Sequence, residues 1–252
     1  MSMDARQCII LNLGCGLKTS DRPEVQNIDW SPYLWLSRSR LVRALAPIFL
    51  DEARLQRLRA VPKNILVYNL AKGIPYADQS VDVVYHSHVL EHLDRPIAQQ
   101  FLAETHRVLK PGGILRIVVP DFELLARAYL EHIELCEADP KLITNHSDYI
   151  APLIEQSVRR EADGTARQKG IRRIVENLVL GDARKRGETH QWMYDRFSLQ
   201  ASMNAAGFHE TTVWSYDQSW IPNWNDRIGL DAKADGSPYK QSSLYFEGRK
   251  SH

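Results

Sequence analysis

Three short stretches of this chain carry residues whose types and spacing suit chemistry. The first is Leu11-Asn12-Leu13-Gly14-Cys15-Gly16, an apolar run that ends on Gly-x-Gly. Two residues without a Cβ let backbone approach a ligand closely and turn sharply away from it. A nicotinamide dinucleotide site wants a third Gly or Ala three residues on, but Thr19 stands there and the stretch to Pro23 is short for a phosphate-binding helix. That argues against a pyrophosphate ligand and against an oxidoreductase. The second is Asp29, which ends Val25-Gln26-Asn27-Ile28-Asp29. A carboxylate at a strand end can accept hydrogen bonds from both hydroxyls of a ribose, or cap the helix after Ser31-Pro32. With Gly14 and Gly16 upstream, the ribose role is the expectation. The third is His88-Val89-Leu90-Glu91-His92, whose His-x-x-Glu-His spacing matches an inverted zinc-protease pattern. On a helix, positions 88 and 92 share a face and could both bind a metal.

Such residues need elements to hold them. Cys8–Leu13, Val25–Asp29, Ile65–Leu70, Val81–His86 and Ile114–Val119 are near-continuous apolar runs rich in β-branched residues, as expected of strands covered on both faces. Thr211–Tyr216 and Ser242–Glu247 read as late strands. Asp94–Leu109 reads as a helix, with Asp94 as cap, Pro96 in the first turn and Ile97, Phe101, Leu102, Val108 and Leu109 lining one face. Residues 31–63 read as helical, with Trp35, Leu36, Leu41, Leu45, Phe49, Leu55 and Leu58 as core candidates. Residues 121–190 read as a helix followed by a largely helical inserted lid. Asp195–Ala206 reads as a helix ended by Gly207, and 217–240 as loop. Alternating strands and helices predict a parallel, doubly wound α/β sheet with ligands beyond the C-terminal strand ends, where the first three stretches fall.

Composition narrows the class. The chain has 252 residues, 44% hydrophobic and 25% charged, with a formal net charge of +1. That is the mix of a globular fold, and nothing in the balance calls for nucleic acid or an anionic membrane. Cys8, Cys15 and Cys136 have no metal-ligand spacing among themselves and suit a reducing cytoplasm. Met1–Gln7 lacks the apolar core of a signal peptide, and no apolar run approaches the length of a membrane span. A cytoplasmic protein is therefore expected.

The order LNLGCG, NID, NLxxxIPYADQSVDVVYHSHVLEHL, LKPGGILRI resembles the class I S-adenosylmethionine-dependent methyltransferases, in particular the broad bacterial small-molecule group whose fourth strand leads into Leu-Glu-His. His190-Gln191-Trp192-Met193-Tyr194, Phe197-Ser198-Leu199, Ala206-Gly207-Phe208 and Ser243-Leu244-Tyr245-Phe246-Glu247 are similar to that group's C-terminal part. The resemblance implies a single Rossmann-like domain over 1–252, with a mostly parallel seven-stranded sheet and a helical insertion at 139–190 after the fifth strand. It implies S-adenosylmethionine as cofactor. Leu13, Gly14, Cys15 and Gly16 would border its methionine part, Asp29 would hold the ribose with Trp30 beside the adenine, and Asn69 and Leu70 would meet the adenine. His86 and Ser87, at the fourth strand's end, would lie against the cofactor, His86 offering backbone to its amine. Asn12 stands where an acid is frequent and Lys18 where a third glycine is usual. Those departures keep open a methyltransferase-like protein that binds a ligand or partner without catalysis.

Methyl transfer is an in-line displacement at a sulfonium carbon, for which the protein positions the reactants and can deprotonate the acceptor. The base candidates are His88, His92, His190 and Asp121, His190 lying where the insertion returns to the core. Catechol-type and RNA methyltransferases place Glu-x-x-Glu-His after the fourth strand and bind a divalent ion; here His88 replaces the first Glu, and no metal is expected. Residues 157–186 hold nine Arg or Lys against four acids. They suit either an anionic small-molecule or saccharide acceptor or a solvated helix face. Trp214, Tyr216, Trp220 and Trp224 suit stacking on a ring or packing of a loop. Oxygen is the expected acceptor atom.

Overall fold

The computed structural model describes residues 8–49, 52–156 and 190–251. Seven strands form one sheet: β1 (Ile10–Leu13), β2 (Val25–Asp29), β3 (Ile65–Val67), β4 (Val81–Ser87), β5 (Leu109–Pro120), β6 (Phe208–Trp214) and β7 (Ser243–Lys250). Their order is β3-β2-β1-β4-β5-β7-β6. β7 runs antiparallel to β5 and β6, and the other neighbours are parallel. The strand order reverses between β1 and β4, so the crevice beyond their C-terminal ends is the topological switch point of the sheet.

Seven α-helices are found among the described residues: α1 (Pro32–Ser37), α2 (Arg40–Phe49), α3 (Glu52–Arg59), α4 (Arg95–Val108), α5 (Phe122–Ala138), α6 (Ser147–Gln156) and α7 (Arg196–Ala205). α4 buries Ala98, Phe101, Leu102, Thr105 and Val108, a stripe with helical spacing. It packs with Leu199 and Met203 of α7 against Leu11, Leu13, Val84, Leu115 and Ile117, the larger of the core clusters. The other face of β1, β4, β5 and β7 is covered by the segment that reads as loop from sequence. There Ile221, Trp224, Ile228 and Leu230 pack on Ile10, Val83, Tyr85 and Tyr245.

Several boundaries move. The third strand ends at Val67 rather than Leu70, because Leu70–Lys72 coils into a 3-10 turn that Asn69 caps. The fifth strand's span begins at Leu109, with Lys110–Gly113 bulging out between the pairs Val81–Leu109 and Val83–Ile114. Asp94 sits at the N-cap position of α4 without making the capping bond, and Ile97 faces out of the apolar stripe. Residues 14–24 form turns only, so no helix lies between β1 and β2. Of the core candidates in 31–63, Leu55 and Leu58 are buried, whereas Trp35 and Leu41 are 65% and 69% exposed. Short helices at the sheet edge have one face only to bury, and those two residues fall on the other. The side chains of Leu36, Leu45 and Phe49 lie outside the description, as do residues 157–189 with their basic run and the second half of the expected insertion. Its first half is helical, with a 3-10 turn over Pro140–Asn145 followed by α6. No helix among the described residues is long and apolar enough to cross a membrane.

Candidate active site

The glycine loop and the carboxylate meet. Gly14 N–H donates to the Ile28 carbonyl at 2.8 Å, turning the chain at the end of β1 across the end of β2. Gly16 N–H then donates to Asp29 Oδ2 at 2.6 Å, and Trp30 N–H to Asp29 Oδ1 at 2.6 Å. Each carboxylate oxygen thus has one acceptor position used by backbone and one left. Gly14 (φ +63°) and Gly16 (φ +56°) are both in the left-handed region. They serve different ends. A Cβ on Gly14 would come within 2.5 Å of Val89 Cγ2, so the loops after β1 and β4 touch at the switch point, whereas a Cβ on Gly16 would meet nothing within 4 Å. Open space beside a left-handed glycine and a half-used carboxylate is a cradle of the shape a nucleoside ligand needs. Trp30, 45% exposed, stands next to it. Asn69 spends its side-chain oxygen on the Ala71 amide at 3.0 Å, which leaves its NH2 to donate. Leu13 is buried in the core and lends only backbone. Burial, aided by the negative Asp29, pushes the Cys15 thiol up to about 12 and keeps it protonated.

The two departures from the family pattern interlock beneath this loop. Asn12 donates through Nδ2 to the Lys18 carbonyl at 2.8 Å and to Asn27 Oδ1 at 3.0 Å. Lys18 Nζ donates to Tyr85 OH at 2.8 Å and lies 3.8 Å from Asp231 Oδ1. Burial pushes the lysine down to about 8 against the pull of Asp231. Sequence reasoning missed what this belongs to. Asn27, Asn12, Tyr85, Arg116 and Glu247 stand opposite one another on β2, β1, β4, β5 and β7, a buried polar row crossing one face of the sheet. Arg116 donates to Asp231 Oδ2 at 2.7 Å and to Glu247 Oε1 at 2.6 Å. Trp224 Nε1 donates to the same Asp231 oxygen at 2.7 Å. Two cations and two anions balance, as buried charge requires. One polar residue inside each apolar run was the available signal, but the register that aligns them is not written in any one run.

Beyond β4 the expectations need correction. The His-x-x-Glu-His run is not helical: His88 is left-handed at φ +55°, and only Leu90–His92 form a 3-10 turn. His88 and His92 therefore do not share a helix face as a metal pair. Instead His88 Nδ1 lies 3.0 Å from Glu91 Oε1, and its Nε2 lies 3.2 Å from Ser243 Oγ on β7. Both of its ring nitrogens are engaged within the protein. Burial would raise the Glu91 carboxyl, but the bond from His88 and the charges beside it leave it below the ordinary value. Burial lowers His88 despite Glu91. His190 enters in its place. Its ring meets His92 edge to face with centroids 4.8 Å apart, and one donor atom each from Glu91, His92 and His190 lie within 4.8 Å of one another, close enough that these three could hold a cation. Gln191 N–H and Trp192 N–H donate to the Glu91 carbonyl at 2.6 and 3.2 Å, tying the returning chain to this turn.

His190 Nδ1 lies 2.8 Å from the Gln156 carbonyl, so it carries the proton and Nε2 keeps the lone pair. Asp121 is committed otherwise: it caps α5 by accepting from Leu124 N at 3.2 Å, and burial raises its carboxyl. His86 is fully buried against Phe101, with neither ring nitrogen hydrogen-bonded, and burial pushes it down to about 4. It is a neutral core residue. Ser87 ends β4 opposite Val118. The four aromatics pack: Trp224 is buried, and Trp214, Tyr216 and Trp220 lie against the same cluster. A cavity of about 870 Å³ opens at the other end of the sheet, lined by Cys8, Asp82, Lys110 and Arg249 at the N-terminal ends of the parallel strands, and has no part in this constellation.

Residues 41–117 match the family model of the methyltransferase domain. Over that stretch the chain is similar to methyltransferase domains. A probable methyltransferase from Aspergillus luteorubrus is 32% identical over 109 residues, covering 42% of this chain and 38% of its own. A probable S-adenosylmethionine-dependent methyltransferase from Mycolicibacterium smegmatis is 39% identical over 73 residues, covering 28% and 27%. This chain thus spans well under half the length of either relative. A solved S-adenosylmethionine-dependent methyltransferase from Methanosarcina mazei superposes with a TM-score of 0.43 at 15% identity, over 98% of this chain and 94% of that one. The family match starts after β2, so the glycine loop and Asp29 lie outside it.

Proposed function

We propose that the chain binds S-adenosylmethionine at the β1–β2–β4 crevice and transfers its methyl group to an oxygen of a small-molecule or saccharide acceptor. The observation that carries this reading is the hydrogen bond from Gly16 N–H to Asp29 Oδ2, which joins an open glycine turn to a carboxylate with one acceptor position free on each oxygen. Asp29 would take the two ribose hydroxyls, Gly14–Gly16 the methionine end, and Trp30, Asn69 and Leu70 the adenine. The bound cofactor would supply an electrophilic methyl on a sulfonium. The chain's own residues orient the acceptor and take its proton. Among the candidates, His190 suits that best. Its tautomer is set by the Gln156 carbonyl, which leaves Nε2 as the acceptor, while His88 and Asp121 are bound up in structural contacts. His92 lies against it and would position it. Charge favours an anionic acceptor, because Lys240 is near enough to act on both His88 and Glu91.

Calorimetry with S-adenosylmethionine and its demethylated product tests the cofactor assignment. Losing hydrogen bonds to a charged group costs about 1.5–3 kcal/mol, so Asp29→Ala should weaken both ligands by at least about tenfold. Unchanged affinity, or no binding by the wild type at millimolar ligand, overturns it. Labelled methyl transfer over a panel of sugar and phenol acceptors tests the reaction, and His190→Ala should lower turnover while leaving cofactor affinity unchanged.

A further inference from the structure

Away from the crevice, three metal-binding side chains converge on one point. His132 and Cys136 lie four residues apart on α5, which puts them on one face of the helix. His146 arrives from the turn between Pro140–Asn145 and α6. His132 Nδ1 lies 3.1 Å from His146 Nδ1 and 3.4 Å from Cys136 Sγ, and all three donor atoms are within 4.8 Å of one another. Hydrogen bonding satisfies that arrangement only by sharing. A neutral imidazole Nδ1 has either one proton or one in-plane lone pair, so it serves one partner fully or two weakly, and two face it here. A cation is served by all three at once.

The dimensions fit. Zinc bonds nitrogen at about 2.0–2.1 Å and sulfur at about 2.3 Å, so a tetrahedral site sets N···N edges near 3.3 Å and N···S edges near 3.6 Å, each about 0.2 Å longer than those seen. The rings are held for the purpose. His132 is buried and stacks on Tyr149 with centroids 3.8 Å apart and planes 16° apart. Cys136 and His146 are half-buried, which leaves the fourth position open to solvent. Thiolate with imidazole selects a borderline-soft divalent ion over magnesium or calcium.

We propose that His132, Cys136 and His146 form a zinc site that ties α5 to the turn and helix that follow it. The site does not depend on the methyltransferase reading and shares no residue with the Glu91, His92 and His190 group.

The test is cobalt(II) titration of the whole chain, followed by absorption. One equivalent should bring up a thiolate-to-cobalt charge-transfer band in the near ultraviolet together with the intense visible bands of a tetrahedral ion, and zinc should displace both. Cys136→Ser should lose the charge-transfer band, His132→Ala and His146→Ala should lose the tetrahedral pattern, and Cys8→Ser should keep everything. Because only Cys136 brings sulfur to these ligands, the band also separates this site from the histidines of the crevice. Circular dichroism of Cys136→Ser before metal addition checks that the variant folds. If it does not, thermal unfolding of the wild type and of His132→Ala with and without zinc decides, a midpoint raised in the wild type but not in the variant supporting the site and one raised equally in both overturning it. No saturable cobalt band in the wild type, or a band that survives Cys136→Ser, overturns the proposal.

Discussion

Asp29 and His86 illustrate how differently two polar side chains at strand ends are treated. Asp29 is held by two backbone amides yet keeps acceptor capacity on each oxygen. His86, at the end of β4, is sealed with no partner for either nitrogen. Its neutral form is therefore the one the fold favours, and that has a pH consequence. Folded His86 titrates at about 4 and the unfolded residue near 6.5, so between those values the unfolded chain binds more protons. Stability is unaffected by this group above pH 6.5 and is lost as pH falls through the window, by about 3 kcal/mol at the end of it. Urea midpoints measured from pH 7 to pH 4 should show this limb, and His86→Leu should flatten it. An unchanged slope in the variant would show that other groups, such as Glu91 and His88, carry the acid sensitivity. At the same scale, Gly14→Ala forces a Cβ into Val89 in a left-handed conformation and should cost about 1–3 kcal/mol in the same assay.

At the scale of elements, α7 begins with the most complete helix start among the described residues. Asp195 accepts from Phe197 N at 2.9 Å and Ser198 N at 2.7 Å, while Ser198 Oγ accepts from Asp195 N at 3.0 Å. This reciprocal cap sits three residues after Trp192, where the chain leaves the Glu91 carbonyl, and it aims Leu199 and Met203 into the core. Asp195→Ala should lower stability by about 1 kcal/mol in urea unfolding without altering ligand affinity. A loss of affinity for S-adenosylmethionine in that variant would mean that the cap also sets the position of the crevice.

For the whole molecule the decisive feature is the polar row and the segment it anchors. Residues 217–240 have little regular structure, and they cover a sheet face because Asp231 and Trp224 reach Arg116, itself fixed by Glu247 of β7. All three charged side chains are buried, so removing one strands the others without solvent. Arg116→Met should cost about 3–5 kcal/mol and loosen 217–240. Denaturant unfolding reads the first, and limited proteolysis within that segment reads the second. A stability change under 1 kcal/mol would mean that water enters and replaces the arginine.

Much of this was legible from residues alone because it is local. Strand runs, the Gly-x-Gly turn and the helix that starts at Asp195 are each written within a few neighbouring residues, and strand–helix alternation forces a doubly wound sheet. The sequence by itself therefore determined the fold class and which residues follow the C-terminal ends of the strands. It could not determine partnerships between residues far apart in the chain. A helical His88–His92 pair was a fair reading of spacing, but β4 is followed by a left-handed residue and the chain returns at His190, so tertiary contact put a different histidine beside His92. The same holds for the row from Asn27 to Glu247 and for His146, ten residues beyond Cys136. Strand register and the return path of a connection are settled by packing over the whole core, and only the folded chain brings those side chains within hydrogen-bonding distance.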